Sequence, residues 1–73
     1  MKRKTVKSSN IKSIGYNVEA KVLEVEFNGG AVYYYTDVGT KSVVELIFAD
    51  SIGKYFAQKI KANFKFVKGE YSV

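Results

Sequence analysis

At 73 residues the chain has room for one domain with a thin core, since a chain this short buries only about 60% of the surface its unfolded form exposes. It contains no Cys and no His, which excludes disulfides, thiolate metal sites, thiol nucleophiles and imidazole as a general base or metal ligand. Twelve basic residues against seven acidic ones leave a net charge of +5, a balance that favours polyanionic partners. No apolar run approaches the ~20 residues needed to span a bilayer, and no apolar stretch follows Met1-Lys2-Arg3-Lys4 as a secretory signal requires. The expectation is a cytoplasmic protein that uses no membrane.

The charge is uneven along the chain. Lys2, Arg3, Lys4, Lys7 and Lys12 face no acid in residues 1–12, and Lys54, Lys59, Lys61, Lys65 and Lys68 face only Glu70 in residues 54–73. The middle of the chain is net acidic. Basic ends around an acidic middle make a polarised surface if the two ends meet in space; otherwise they are a solvated surface and a basic tail.

Residues 1–8 lack apolar periodicity and read as a flexible basic tail, followed by a single domain over residues 9–73. From Ile11 the pattern changes. Ile14 and Tyr16 alternate with Ser13, Gly15 and Asn17 as in a half-buried strand, and residues 17–20 form a turn. Leu23, Val25 and Phe27 alternate with Glu24 and Glu26, the period of an antiparallel strand with one apolar and one wet face. Asn28-Gly29-Gly30 must then reverse the chain. A two-residue loop would set Val32 and Tyr34 beside Val25 and Phe27. A three-residue loop with Gly30 in a left-handed bulge would set Tyr33 and Tyr35 there instead, and this is the favoured register. The third strand covers residues 31–36, a run of high β-propensity.

Two helices follow. Thr40 or Ser42 is placed to cap the first, and Ser42-x-x-Glu45 fits a capping box. Val43, Val44, Leu46, Ile47 and Phe48 share one arc of its wheel. Asp50 or Ser51 caps the second, which runs to about Lys61 with Ile52, Tyr55, Phe56 and Ile60 inward and Lys54, Gln58 and Lys61 outward. Lys59 falls within the apolar arc, where it is expected to snorkel along Tyr55. Residues 64–67 alternate and form a short strand or an extended strap. The fold class is therefore α+β: a three-stranded antiparallel meander, two helices packed on one face and a short C-terminal extended segment.

No catalytic constellation can be built from these residues, and neither a cofactor nor a metal is expected. Gly39-Thr40-Lys41-Ser42 fails as a phosphate loop, which needs Gly directly before Lys, where Thr40 stands, and another Gly five residues before that. Glu24 and Glu26 are explained by alternation on an exposed sheet face. Tyr33-Tyr34-Tyr35 is the most unusual local feature. Tyr33 and Tyr35 belong to the core and Tyr34 to the outer face, where it is free to stack on an unpaired base. Lys2, Arg3, Lys4, Lys54, Lys61, Lys65 and Lys68 are the candidates for phosphate contacts, which give affinity without sequence readout.

Ser9-x-Ile11, Ile14-Gly15-Tyr16, Leu23-x-Val25-x-Phe27, Val32-Tyr33-x-Tyr35-x-Asp37-Val38 and Ser51-x-Gly53-Lys54-Tyr55-Phe56-x(3)-Ile60, in this order, resemble the KTSC domain. That family is named for a domain at the C-terminus of some lysyl-tRNA synthetases and also occurs as small stand-alone bacterial and phage proteins. The resemblance covers residues 8–67. It implies that Tyr33, Tyr35, Asp37, Gly53, Tyr55 and Phe56 are motif positions with a structural role. Gly39 departs from the family's usual Pro, which moves the expected start of the first helix to Thr40 or Ser42. The family has no established activity, and its association with a tRNA synthetase implies RNA. The functional expectation is a non-catalytic module binding nucleic acid, RNA before DNA. The alternative is a protein-interaction module acting through an exposed sheet edge.

Overall fold

A computed structural model describes residues 3–6 and 10–69. The strands are β1 (Arg3–Thr5), β2 (Ile11–Asn17), β3 (Val22–Phe27), β4 (Val32–Tyr35) and β5 (Phe66–Lys68), and the helices are α1 (Thr40–Ile47) and α2 (Ile52–Tyr55). A π-helical turn, Phe56–Ile60, continues α2. All five strands form one antiparallel sheet in the order β1-β2-β3-β4-β5. The α+β class and the order of an antiparallel sheet followed by two helices match the expectation. The count of three strands does not. The C-terminal segment pairs with β4, and residues 3–5, assigned to the tail, pair with β2 as the opposite edge. Residues 1, 2 and 7–9 lie outside the described residues.

The β3–β4 hairpin has the three-residue loop. The Phe27 amide donates to the Ala31 carbonyl (2.8 Å) and the Gly30 amide to the Phe27 carbonyl (2.9 Å). Gly30 takes φ +97°, a conformation a side chain would strain. Val25 is therefore opposite Tyr33 and Leu23 opposite Tyr35, and both tyrosines share the apolar face. On β2, Lys12 is an extra residue between the Ile11–Phe27 and Ser13–Glu26 pairs. Residues three apart in a regular strand face opposite sides; this bulge restores Ile11 to the face of Ile14. At the β2–β3 turn the Asn17 side chain accepts from the amides of Glu19 and Ala20, an Asx turn.

The core lies between the apolar sheet face and the helices. Ile11, Ile14, Leu23, Val25 and Tyr35 meet Val38, Val43, Leu46, Phe56 and Ile60. Tyr35 is 1% exposed. The Tyr16 hydroxyl donates to the Val38 carbonyl and ties β2 to the segment entering α1. Among the described residues no helix is long and apolar enough to cross a membrane.

Several local expectations change. The first helix begins at Thr40 with Gly39 in the cap position and no side-chain cap, so the Ser42–Glu45 capping box does not form. Glu45 instead accepts from the Tyr55 hydroxyl (3.1 Å), joining α1 to α2. Only Val43 and Leu46 of the apolar arc are buried, because one stripe of an eight-residue helix meets the sheet; Val44, Ile47 and Phe48 are exposed. Ser51 caps α2 as expected, accepting from the Lys54 amide. Lys59 is exposed. The wider π turn swings it off the apolar arc while Ile60 stays buried, so no snorkelling is required. The outer sheet face is less wet than alternation implies. Glu24 is 7% exposed and Ser13 is buried, its hydroxyl donating to Glu26 at 2.8 Å. With two outer strands added, β3 is the central strand, and its outward side chains have neighbours on both sides.

This packing orders the three tyrosines. Tyr35→Ala is expected to cost about 3–5 kcal/mol, a large share of the stability of so small a domain. Tyr34→Ala, on the face away from the helices, is expected to cost clearly less. Urea and thermal melts of the two variants check this; a costlier Tyr34 truncation would mean that the hairpin register is wrong.

Candidate functional site

Five aromatic rings gather on the helix side of the sheet. Phe27 and Tyr33 come from the two arms of the hairpin, Tyr35 from the end of β4, Phe56 from the π turn and Phe66 from β5. Phe27 meets Tyr33 edge-on (centroids 5.4 Å) and Phe56 at 5.5 Å. Tyr35 meets Phe56 edge-on at 5.3 Å, and Phe66 lies 5.0 Å from Tyr33 and 5.5 Å from Tyr35. Such contacts hold rings in fixed orientations beyond what area burial gives. Phe66 nevertheless remains 51% exposed.

These rings border an open cleft of about 580 Å³ at the hairpin end of the sheet. Asn10, Asn28 and Gly29 contribute one wall, and Gly53, Ala57 and Lys61 another. The Asn28 amide donates to the Asn10 carbonyl (2.8 Å) and fixes the first wall. Lys61 is the only charged residue of the lining among the described residues. Just beyond, the Lys68 ammonium stands 5.9 Å from the centroid of the Tyr33 ring, within cation–π range.

The π turn explains how Lys61 reaches this cleft. In an α-helix, residues five apart are separated by about 140° around the axis, which is why the helical wheel directs Lys61 away from the core. Here the Lys61 amide donates to the Phe56 carbonyl (2.8 Å). That closure brings the two residues to nearly the same side, and both line the cleft. Lys61 stays exposed, as the outward assignment expected, and borders the open cleft as well.

The expected site residues do not form one surface. Lys61 and Lys68 are at the cleft, and Lys54 is exposed on α2. Lys65 is exposed just before β5, with its carbonyl accepting from the Thr36 amide. Tyr34 is half-buried on the opposite sheet face, in a cross-strand row with Glu24 and Val67. Arg3 and Lys4 belong to β1 and Lys68 to β5, the two outermost strands, so the basic ends lie about 19 Å apart across four strand spacings. Lys2 lies outside the described residues.

The motif positions divide into two groups. Tyr33, Tyr35, Gly53 and Phe56 come together at the cleft. Asp37 and Tyr55 hold the chain path: Asp37 takes a left-handed φ of 59° where β4 ends, and Tyr55 bonds Glu45. Of the other lining residues, Phe27 and Asn28 were read from sequence only as strand and turn positions, and Phe66, Asn10 and Ala57 not as site residues at all. Their positions follow from strand pairing, and only the alternation of Phe64 and Phe66 hinted at one of them.

Burial raises the Tyr35 phenol above the usual tyrosine value, and the neighbouring Tyr33 adds to the shift. Burial and then the Glu45 carboxylate move Tyr55 the same way. No group of three or more potential metal ligands occurs among the described residues.

The KTSC domain model matches residues 7–64. An uncharacterised protein of Stutzerimonas stutzeri is 46% identical over 61 residues, covering 84% of this chain and 86% of its own length. A lysine–tRNA ligase of Nostoc punctiforme is 38% identical over 58 residues, which are 80% of this chain and 10% of the ligase. The crystal structure of a KTSC domain protein from Yersinia pestis superposes with a TM-score of 0.88 at 34% identity, covering 94% of this chain and 97% of that one.

The raised Tyr35 value sets a pH dependence. Below the unfolded tyrosine value both states are protonated and stability is intact. As pH rises past it, the unfolded state ionises first, and stability falls until the folded value is reached. Melting temperatures recorded into the alkaline range are expected to fall less steeply in Tyr35→Phe than in the parent; equal slopes would mean that the Tyr35 phenol is not shifted.

Proposed function

The chain belongs to the KTSC domain family, and on that footing we propose that it is a non-catalytic module that binds single-stranded nucleic acid, RNA before DNA. The observation that carries this reading is the aromatic cleft with Lys61 in its lining, Lys68 at its edge and no acidic residue in its lining among the described residues. Unpaired bases offer flat apolar faces joined to phosphates, and stacking on aromatic side chains beside cations is how sequence-tolerant binders hold them. The lysine–tRNA ligase that carries a similar segment supports RNA over DNA. One arginine in the whole chain leaves little capacity for bidentate base recognition, so sequence preference is weak.

A second reading is favoured by a different surface. On α1 and its C-cap, Val44, Ile47 and Phe48 are exposed, Phe48 at 82%. A protein partner seated there would be lost with Phe48→Ser and retained after nuclease treatment.

Fluorescence anisotropy with labelled single-stranded RNA, single-stranded DNA and tRNA tests the first reading. Contacts from Lys54, Lys61, Lys65 and Lys68 would give a log–log salt slope of about −3, at roughly −0.7 per phosphate on single strands. Absence of binding at low salt, or binding indifferent to salt, would count against it.

A further inference from the structure

The cleft and the π turn together carry a narrower assignment. We propose that the cleft holds one unpaired nucleotide, with its base against the exposed aromatic ring edges and its phosphate at Lys61. The assignment rests on the preceding reading for its ligand class, and it differs in committing to one site of mononucleotide size on the helix side of the sheet.

Size is the first argument. A cleft of about 580 Å³ falls within the usual range for small-molecule sites, the scale of a mononucleotide. Chemistry is the second. Phe27, Tyr33 and Phe66 are only partly buried, so ring surface is available to a planar ligand. Asn10 and Asn28 add polar residues to the lining, and Lys61 is its only charged residue among the described ones. Apolar faces, hydrogen-bonding edges and one cation, in that arrangement, match a base, its edge and its phosphate.

The π turn is the third and independent argument. Inserting a residue into a helix sacrifices regular hydrogen bonding, and such turns occur frequently at functional sites. Here the turn lies at the cleft and ties the Lys61 amide to the Phe56 carbonyl, so that both residues border the cleft while Lys61 stays exposed. Burial of Ile60 alone would not need a cation at that place.

The test uses the intact chain and NMR titration with 5′-AMP, UMP, adenosine and inorganic phosphate. AMP at millimolar concentration is expected to shift the resonances of Phe27, Tyr33, Phe56, Ala57 and Lys61. UMP should bind more weakly because its smaller ring stacks less, and phosphate alone should leave the aromatic resonances unmoved. Ala57 is exposed where it borders the cleft, so Ala57→Leu should fold normally, fill the space and weaken AMP binding tenfold or more. Lys61→Gln should weaken AMP but not adenosine, and Lys41→Gln on α1 should change neither. Adenosine binding as well as AMP, or shifts confined to the Tyr34 face, would overturn the assignment. A parallel anisotropy titration with oligo(A) RNA separates the two readings. RNA binding that survives Ala57→Leu, with no AMP shifts in the parent, sinks the cleft assignment and leaves the module reading standing. AMP binding in the cleft without RNA binding does the reverse and identifies a free nucleotide as the ligand source.

Discussion

The closure of the β3–β4 hairpin over three residues decides what every other element packs against. Two backbone bonds between Phe27, Gly30 and Ala31 set the register, and a shift of one residue would send every side chain of β4 to the other face. In the register adopted, Tyr35 stands opposite Leu23 and Tyr33 opposite Val25. The helices then find a face already bearing two tyrosines, and Phe56 packs against Tyr35 and Phe27. Glycine at position 30 is what allows this, since its φ of +97° is costly for any residue with a Cβ.

The same register distributes chemistry between the faces. On the helix side, aromatic rings come from strands at both ends of the hairpin, the π turn and β5, and only their convergence makes a cleft. On the other side, Glu24 and Glu26 share their face with Ser13 and Tyr34. The acidic residues of β3 are thus kept away from the cleft by the two-residue period of the strand, and among the described residues the cleft lining carries Lys61 as its only charge. This separation follows from alternation in β3 alone, but it becomes electrostatically useful only once the helices and β5 have closed the cleft.

The outer strands show how far the short ends of the chain matter to a thin core. β5 has three exposed residues, yet it brings Phe66 against both Tyr33 and Tyr35 and Lys68 beside Tyr33. β1 extends the opposite edge. Together they place β3 at the centre of the sheet, and a central strand shields even its outward carboxylates. They also hold the two basic ends of the chain at opposite edges, so the polarised surface suggested by the charge distribution is divided in two.

Local patterns in the amino-acid sequence determined the three central strands, the hairpin loop, the Ser51 cap of α2 and the buried Phe56 and Ile60, because each depends on neighbours a few residues away and on a period of 2 or 3.6. The motif order was legible for the same reason, and it led to the family. Tertiary structure alone decided the rest. Pairing of β1 and β5 depends on which edges lie open, and exposed edge strands need no apolar alternation to announce themselves. Which of the α1 residues Val43 to Phe48 are buried depends on how much of a short helix the sheet can cover. The π turn is the clearest case: the helical wheel assumes a constant 100° per residue, and a single inserted residue breaks that assumption midway along the helix. The insertion leaves Ile60 buried and Lys61 at the cleft.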